Sequence, residues 1–167
     1  MSRIAQQKIT PFFWFDRQAE EAAKFYTSVF ENSRIKRIAR YGEAGHAVHG
    51  MPAGSVMTVE LELAGQTFVA LNGGPRFQFN EAISFQVLCE TQEEIDRFWG
   101  KLTQGGQESM CGWLKDRFGV SWQIVPSALA PMMTDADGGK SERVMNALLQ
   151  MKKLDLAALQ RAYGASA

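Results

Sequence analysis

The chain has 167 residues, the size of one ordinary domain or of two small modules that share a core. Hydrophobic residues make up 46% and charged residues 22% of it, as in globular proteins. Its 18 basic residues balance its 18 acidic residues, so it has no positive excess for binding a nucleic acid backbone. Because it shows neither a membrane-length apolar run nor a signal core, we predict a cytoplasmic protein without nucleic acid or membrane partners.

The first half of the chain predicts a strand, a helix and three further strands. The predicted elements are a strand at 8–15, a helix at 18–30, and strands at 34–41, 55–63 and 66–73. Ala19, Ala22 and Tyr26 recur at helical spacing, whereas residues 55–63 alternate between apolar and polar side chains. The dipeptide Ala64-Gly65 joins the last two strands as a hairpin.

A stretch rich in glycine and alanine, residues 41–55, predicts a long loop. It contains both histidines of the chain, His46 and His49, whose separation resembles an HxxH metal-binding pair. We expect both to be solvated loop residues. If the loop folds over a cavity, one of them could serve as a metal ligand or a general base.

The same order of elements restarts after a linker at 73–81. The predicted elements are a strand at 82–90, a helix at 91–106, and strands at 112–119 and 120–126, with a third strand inferred between helix and hairpin. Thr91 and Glu94 have the spacing of a capping box. These patterns predict a first module at 1–75 and a second module at 76–127.

The tail, residues 128–167, predicts two helices. Ser141 can cap a helix that begins at Glu142 and ends near Lys153, and Asp155 can start a shorter helix that ends at Gly164. The apolar side chains of the tail include Met132, Met133, Val144 and Met145. We expect these four to form an exposed patch that is the interface of a homodimer.

Two successive βαβββ patterns in one chain resemble the vicinal oxygen chelate superfamily, which includes glyoxalase I, bleomycin-resistance proteins and extradiol dioxygenases. Four blocks are similar to its PhnB-like branch, whose domain is labelled 3-demethylubiquinone 3-methyltransferase. They are AEEAAKFYTSVF (19–30), FVALNGGP (68–75), GWLKDRFGVSWQIVP (112–126) and MKKLDLAALQRAYG (151–164). The resemblance implies an α+β fold in which two βαβββ modules form a cupped mixed sheet, followed by C-terminal helices.

The resemblance also implies where a metal would lie, because superfamily enzymes typically hold a divalent ion with His, Glu or Gln from the first and last strands of each module. The corresponding positions here are Thr10 or Phe12, Leu71 or Asn72, Ser84 or Gln86, and Gln123. Only Gln123 falls where the carboxylate of the motif usually lies, and amides and hydroxyls are weak ligands. We therefore assign no cofactor and keep a divalent metal, which this ligand set does not support, as an open alternative with Gln123, His46 and His49 as weak candidates.

The abundant aromatic residues predict an apolar cavity with a few polar groups that orient a ligand. The predicted ligand-binding residues are Phe12, Asn72, Ser84, Cys111, Trp113 and Gln123. We hypothesise that the protein binds a small, planar or oxygen-rich molecule without a metal triad; no catalytic residue is predicted. A first alternative is a metal-dependent lyase, isomerase or dioxygenase of the glyoxalase type. A second is the methyltransferase of the family label, although no glycine-rich loop follows the first strand.

Overall fold

The computed structural model describes residues 7–165 and divides them into two compact units. The first unit runs to Gln78, and the second begins at Phe79 and includes the C-terminal helices. Each unit contains a four-stranded mixed sheet built from a βαβββ module. The predicted α+β class with two such modules and a helical tail is confirmed.

The first unit packs one long helix on its sheet. Its elements are β1 (Phe12–Phe15), α1 (Ala19–Val29), β2 (Arg34–Arg40), α2 (His46–His49), β3 (Val56–Leu63) and β4 (Gln66–Asn72). The strand order is β1-β4-β3-β2, with β1 parallel to β4 and the other pairs antiparallel. Tyr26 of α1 is fully buried and lies 5.9 Å, between ring centroids, from Phe13 of β1. Within the predicted loop at 41–55, the structure has one turn of helix, α2.

The β3–β4 hairpin and the alternation along β3 are as predicted. Ala64 and Gly65 have φ values of 46° and 83°, the left-handed backbone that a tight two-residue hairpin turn requires. Val59 and Leu61 are fully buried on the face that α1 covers. Glu60 points to the opposite face and pairs with the guanidinium of Arg37 on β2.

The second unit repeats the module and adds three helices. Its elements are β5 (Phe85–Cys89), α3 (Gln92–Leu102), β6 (Gln107–Glu108), β7 (Trp113–Lys115), β8 (Ser121–Pro126), α4 (Leu129–Met133), α5 (Gly138–Leu148) and α6 (Leu156–Gly164). The strand order is β5-β8-β7-β6, with β5 parallel to β8. The inferred third strand is β6, which has two residues. The predicted capping box is present, because Thr91 Oγ1 accepts a hydrogen bond from Glu94 N.

The start of α5 differs from the prediction. The helix begins at Gly138, because the carboxylate of Asp137 accepts a hydrogen bond from Gly139 N and caps it one turn earlier than expected. The hydroxyl of Ser141, the predicted cap, donates instead to Gly138 O within the first turn. The predicted cap of α6 is confirmed, since Asp155 Oδ1 accepts from Ala158 N at 2.8 Å.

The predicted exposed patch in the tail is wrong. Met132 and Val144 are 8% and 0% exposed, because the tail forms a small apolar core of its own against the end of β8. That core consists of Val125, Leu129, Met132, Val144, Leu154 and Leu159. Met145 stays outside it, with 39% exposure. None of the helices within residues 7–165 has the length and apolar character needed to cross a membrane.

Candidate functional site

One face of the second sheet carries several of the predicted ligand-binding residues. In the strand register, Trp113 lies opposite Gln123 and Lys115 lies opposite Ser121. Trp122 and Ile124 alternate with these positions on β8 and are buried toward α3. We call the surface formed by Ser84, Trp113, Lys115, Ser121 and Gln123 the polar face of the second sheet.

Ser84 and Gln123 are joined by a hydrogen bond on this polar face. Gln123 Nε2 donates to Ser84 Oγ at 2.8 Å, and both side chains are half-buried. Within residues 7–165, no partner is found for Gln123 Oε1 or for the hydroxyl hydrogen of Ser84. The pair therefore offers one acceptor and one donor to an incoming molecule.

A cavity of about 190 Å³ lies against three other residues of the polar face, Trp113, Lys115 and Ser121. It is lined by Glu81, Gln107, Glu108, Ser109, Trp113, Leu114, Lys115 and Ser121. Ser121 is only 1% exposed, and its Oγ finds no hydrogen-bond partner in the described part of the chain. The Lys115 ammonium pairs with the Glu81 carboxylate, and this hydrogen bond lowers the pKa of the Glu81 carboxyl.

Cys111 lies in the turn before β7 and anchors the tail through its backbone. Its amide donates to Met151 O at 2.7 Å, and the amide of Gly112 donates to Lys152 O at 2.8 Å. A Cβ on Gly112 would lie 2.8 Å from Ile124 O, which explains why glycine occupies that position. Cys89 is a core residue, as predicted, and burial raises the pKa of its thiol to about 11.

The other two predicted ligand-binding residues, Phe12 and Asn72, belong to the first unit. Phe12 is 63% exposed on the edge strand β1. Asn72 is 5% exposed, and both ends of its amide form hydrogen bonds inside the unit: Oδ1 accepts from Ala19 N at 2.8 Å. Its Nδ2 donates to Val56 O at 3.0 Å. In this structure the Asn72 side chain therefore holds the start of α1 and the start of β3.

The two histidines lie at the ends of α2. The His49 ring packs against Tyr41, and both its nitrogens are occupied: Nδ1 accepts from Met51 N and Nε2 donates to Ala44 O. His46 is exposed. Their ring centroids are 6.2 Å apart, and Gln123 belongs to the other unit. Across residues 7–165, no three His, Cys, Asp or Glu side chains come close enough together to hold one metal ion.

Asp116 is a structural residue that the sequence reasoning missed. It is 3% exposed, and its carboxylate accepts hydrogen bonds from Trp122 Nε1 at 2.8 Å, Phe118 N at 2.9 Å and Val120 N at 3.1 Å. The signal was present in the sequence, because an aspartate followed three residues later by Gly119, between two strands, is typical of a turn.

Comparisons with known proteins agree on one family and one fold. The family of 3-demethylubiquinone-9 3-methyltransferases matches residues 7–125. A solved PhnB protein of Bacillus cereus, which carries the same methyltransferase label, is 41% identical over 72% of this chain and 100% of its own, with a TM-score of 0.64. Protein PA1353 of Pseudomonas aeruginosa shares the fold at 20% identity, over 72% of this chain and 98% of its own, with a TM-score of 0.59.

A more distant similarity is to the fosfomycin resistance protein FosX of Mesorhizobium loti. It is 10% identical over 72% of this chain and 91% of its own, with a TM-score of 0.49. No curated protein matches the chain.

Proposed function

Because the chain belongs to the 3-demethylubiquinone-9 3-methyltransferase family, in its PhnB-like branch, we propose that it binds a small planar molecule that carries oxygen atoms. The polar face of the second sheet provides the site. The observation that carries the proposal is the Ser84–Gln123 pair, which has a free donor and a free acceptor within the described residues and whose Gln123 lies opposite Trp113 in the strand register.

The three side chains complement one another chemically. The half-buried indole of Trp113 offers a flat apolar surface on which an aromatic ring can stack, which contributes about 1 kcal/mol beyond the burial of area. An oxygen on the ring edge can accept from the Ser84 hydroxyl, and an adjacent hydroxyl can donate to Gln123 Oε1. Hydrogen bonds of this neutral type contribute about 1 kcal/mol each, so we expect modest affinity.

The family label is compatible with this ligand chemistry. A demethylated ubiquinone head group is a flat ring with several oxygens, and it is the molecule named in the label of the Bacillus cereus relative. We propose the ring only as a ligand and assign no methyl transfer to the protein. In this chain β1 leads to α1 through Asp16, Arg17 and Gln18, which include no glycine.

The test is calorimetric titration with catechol and with a short-chain ubiquinone analogue. Replacing Gln123 by Leu removes the acceptor at similar size, and we expect affinity to fall about fivefold, the equivalent of about 1 kcal/mol. The matched control is Gln66→Leu, at an exposed strand position of the first unit, which should leave affinity unchanged. Circular dichroism would verify that both variants fold.

The alternatives give different outcomes in the same titrations. Equal affinity of wild type and Gln123→Leu for both probes would contradict the proposed site. Binding that requires added zinc or manganese and is lost in Gln123→Leu would replace the proposal by the metal-dependent alternative. Binding of S-adenosylmethionine, with transfer of its methyl group to the probe, would favour the transferase.

A further inference from the structure

The buried hydroxyl of Ser121 lacks a partner where one is expected. Most buried polar side chains in folded proteins form at least one hydrogen bond, and a buried hydroxyl without one costs free energy. Ser121 is 1% exposed, and its Oγ has no partner within residues 7–165. Because it lines the cavity of about 190 Å³, a bound molecule could supply the missing bond.

The cation of the same cavity is the Lys115 ammonium, and the carboxylate that pairs with it belongs to a side chain, Glu81, that can move away. Lys115 lies opposite Ser121 in the strand register, and its ammonium pairs with Glu81. The Glu81 side chain is 61% exposed and lies in the segment before β5, whereas the Lys115 side chain is 33% exposed. Exposed ion pairs of this kind contribute little to stability, so Glu81 can turn into solvent at small cost.

We propose that this cavity binds the carboxylate of a small aromatic acid, with Lys115 as its counter-ion and Ser121 as a hydrogen-bond donor. Glu81 then occupies Lys115 in the free protein and is displaced by the ligand. This inference rests on the proposed function and deepens it: Trp113 lines the cavity and belongs to the polar face, so a planar ring stacked there can extend its carboxylate toward Lys115.

The other charged side chain in the cavity, Glu108, has partners of its own. Glu108 also lines the cavity, but its Oε1 accepts from Trp99 Nε1 at 2.9 Å and its Oε2 lies 4.0 Å from the Lys152 ammonium. Gln107 and Ser109 add neutral donors to the lining. A carboxylate is the favoured anion because Glu81 already places this group on Lys115, which shows that the geometry suits it.

The experiment uses benzoate as the probe, titrated into the full chain by calorimetry at low ionic strength. Lys115→Met should abolish detectable binding, because the ammonium is the cation of the site. Ser121→Ala should weaken binding about tenfold, the loss expected for a hydrogen bond to a charged group. Glu81→Gln should tighten binding about threefold, since the competing carboxylate is removed.

Two controls match the serine and glutamate changes. Ser127→Ala and Glu142→Gln make the same replacements outside the cavity and should leave the affinity for benzoate unchanged. Ser121→Ala should unfold at the same or a higher urea concentration than wild type, because the hydroxyl that it removes has no partner to lose. Should it fail to fold, the surface variant Glu81→Gln still decides the question.

The outcomes separate this inference from the proposed function. If benzoate fails to bind while catechol binds in a manner that depends on Gln123, the carboxylate inference is overturned and the proposed function stands. A second outcome is that the affinity for benzoate changes as expected in Lys115→Met, Ser121→Ala and Glu81→Gln, while Gln123→Leu leaves the affinity for catechol unchanged. In that case the inference stands and the Ser84–Gln123 site is rejected. Benzoate binding that ignores Lys115→Met and Ser121→Ala overturns the inference.

Discussion

The two βαβββ modules begin their helices in different ways. In the second unit α3 starts at a local capping box: Thr91 Oγ1 accepts from Glu94 N, and Glu94 Oε2 accepts from Glu90 N. In the first unit, the residue before α1, Gln18, makes no capping bond with its side chain. The amide of Ala19 instead donates to Asn72, which lies 53 residues later at the end of β4.

The buried polar side chains show the same contrast. Asp116 in the second unit accepts hydrogen bonds from Phe118 N, Val120 N and Trp122 Nε1, which lie at most six positions away in the same hairpin. Asn72 in the first unit connects β4 to α1 and to the backbone at the start of β3. The second module therefore stabilises its turn and helix start through nearby residues, whereas the first depends on strands that must already be paired.

The largest effect is expected for the local network. Asp116→Ala would remove the carboxylate that accepts from the indole N–H of Trp122 and from two backbone amides, and we expect the free energy of unfolding to fall by about 4 kcal/mol. Urea unfolding followed by tryptophan fluorescence measures it. Asp137→Ala removes an exposed aspartate that forms a helix cap and should cost about 1 kcal/mol. Equal losses for the two variants would contradict the assigned role of Asp116.

A somewhat smaller loss is expected for the long-range bridge. Asn72→Ala would remove the acceptor of Ala19 N and a donor to Val56 O, which predicts a loss of about 3 kcal/mol in unfolding free energy. Hydrogen exchange at the Ala19 amide should become faster at the same time. Asn80→Ala serves as the control, because the exposed Asn80 side chain accepts a hydrogen bond from the nearby Ala82 N. If Asn72→Ala binds catechol more weakly yet unfolds like wild type, Asn72 is a ligand residue and the bridge is unimportant.

The smallest change in the free energy of unfolding is expected for the cap of α3, and it tests the difference between the two helix starts. Thr91→Ala removes the local cap of α3 and should cost about 1 kcal/mol, less than the loss of the distant bond at α1. Thr91→Ser keeps a hydroxyl at the cap and should retain most of the stability. Urea denaturation of the three proteins measures both values, and a Thr91→Ala loss larger than that of Asn72→Ala would reverse the comparison.

These residues also show how far the sequence could predict the site. The hairpin at Ala64-Gly65 and the cap at Thr91 depend on neighbours in the chain, and both are confirmed. Asn72 is predicted as a ligand-binding residue because the family resemblance implies a site position there and because it is one of the few polar groups of the predicted cavity. Its partners lie 16 and 53 residues away, and no local pattern identifies them.

The place of Ser121 in the cavity lining was beyond sequence reasoning for the same reason. In the sequence, Ser121 is a small polar residue at the start of a predicted strand. Its burial follows only from how β7 and β8 pair within the second sheet. The start of α5 differs from the prediction for another reason. Asp137 and Ser141 are both favourable N-cap residues, and residue type alone does not show which of them caps the helix.

The family follows from the sequence motifs. By itself the sequence also determined the order of elements that the two modules share, the hairpin turn at Ala64-Gly65 and the helix caps at Thr91 and Asp155. These features depend on backbone propensity and hydrophobic periodicity, which act over short distances along the chain. The tertiary structure alone decided that Asn72 ties α1 to its sheet, that the tail buries Val144 in a core of its own, and that Ser121 faces a cavity without a partner. Each of these depends on strand pairing and packing between distant residues, where a polar side chain forms whichever bond the fold brings within reach.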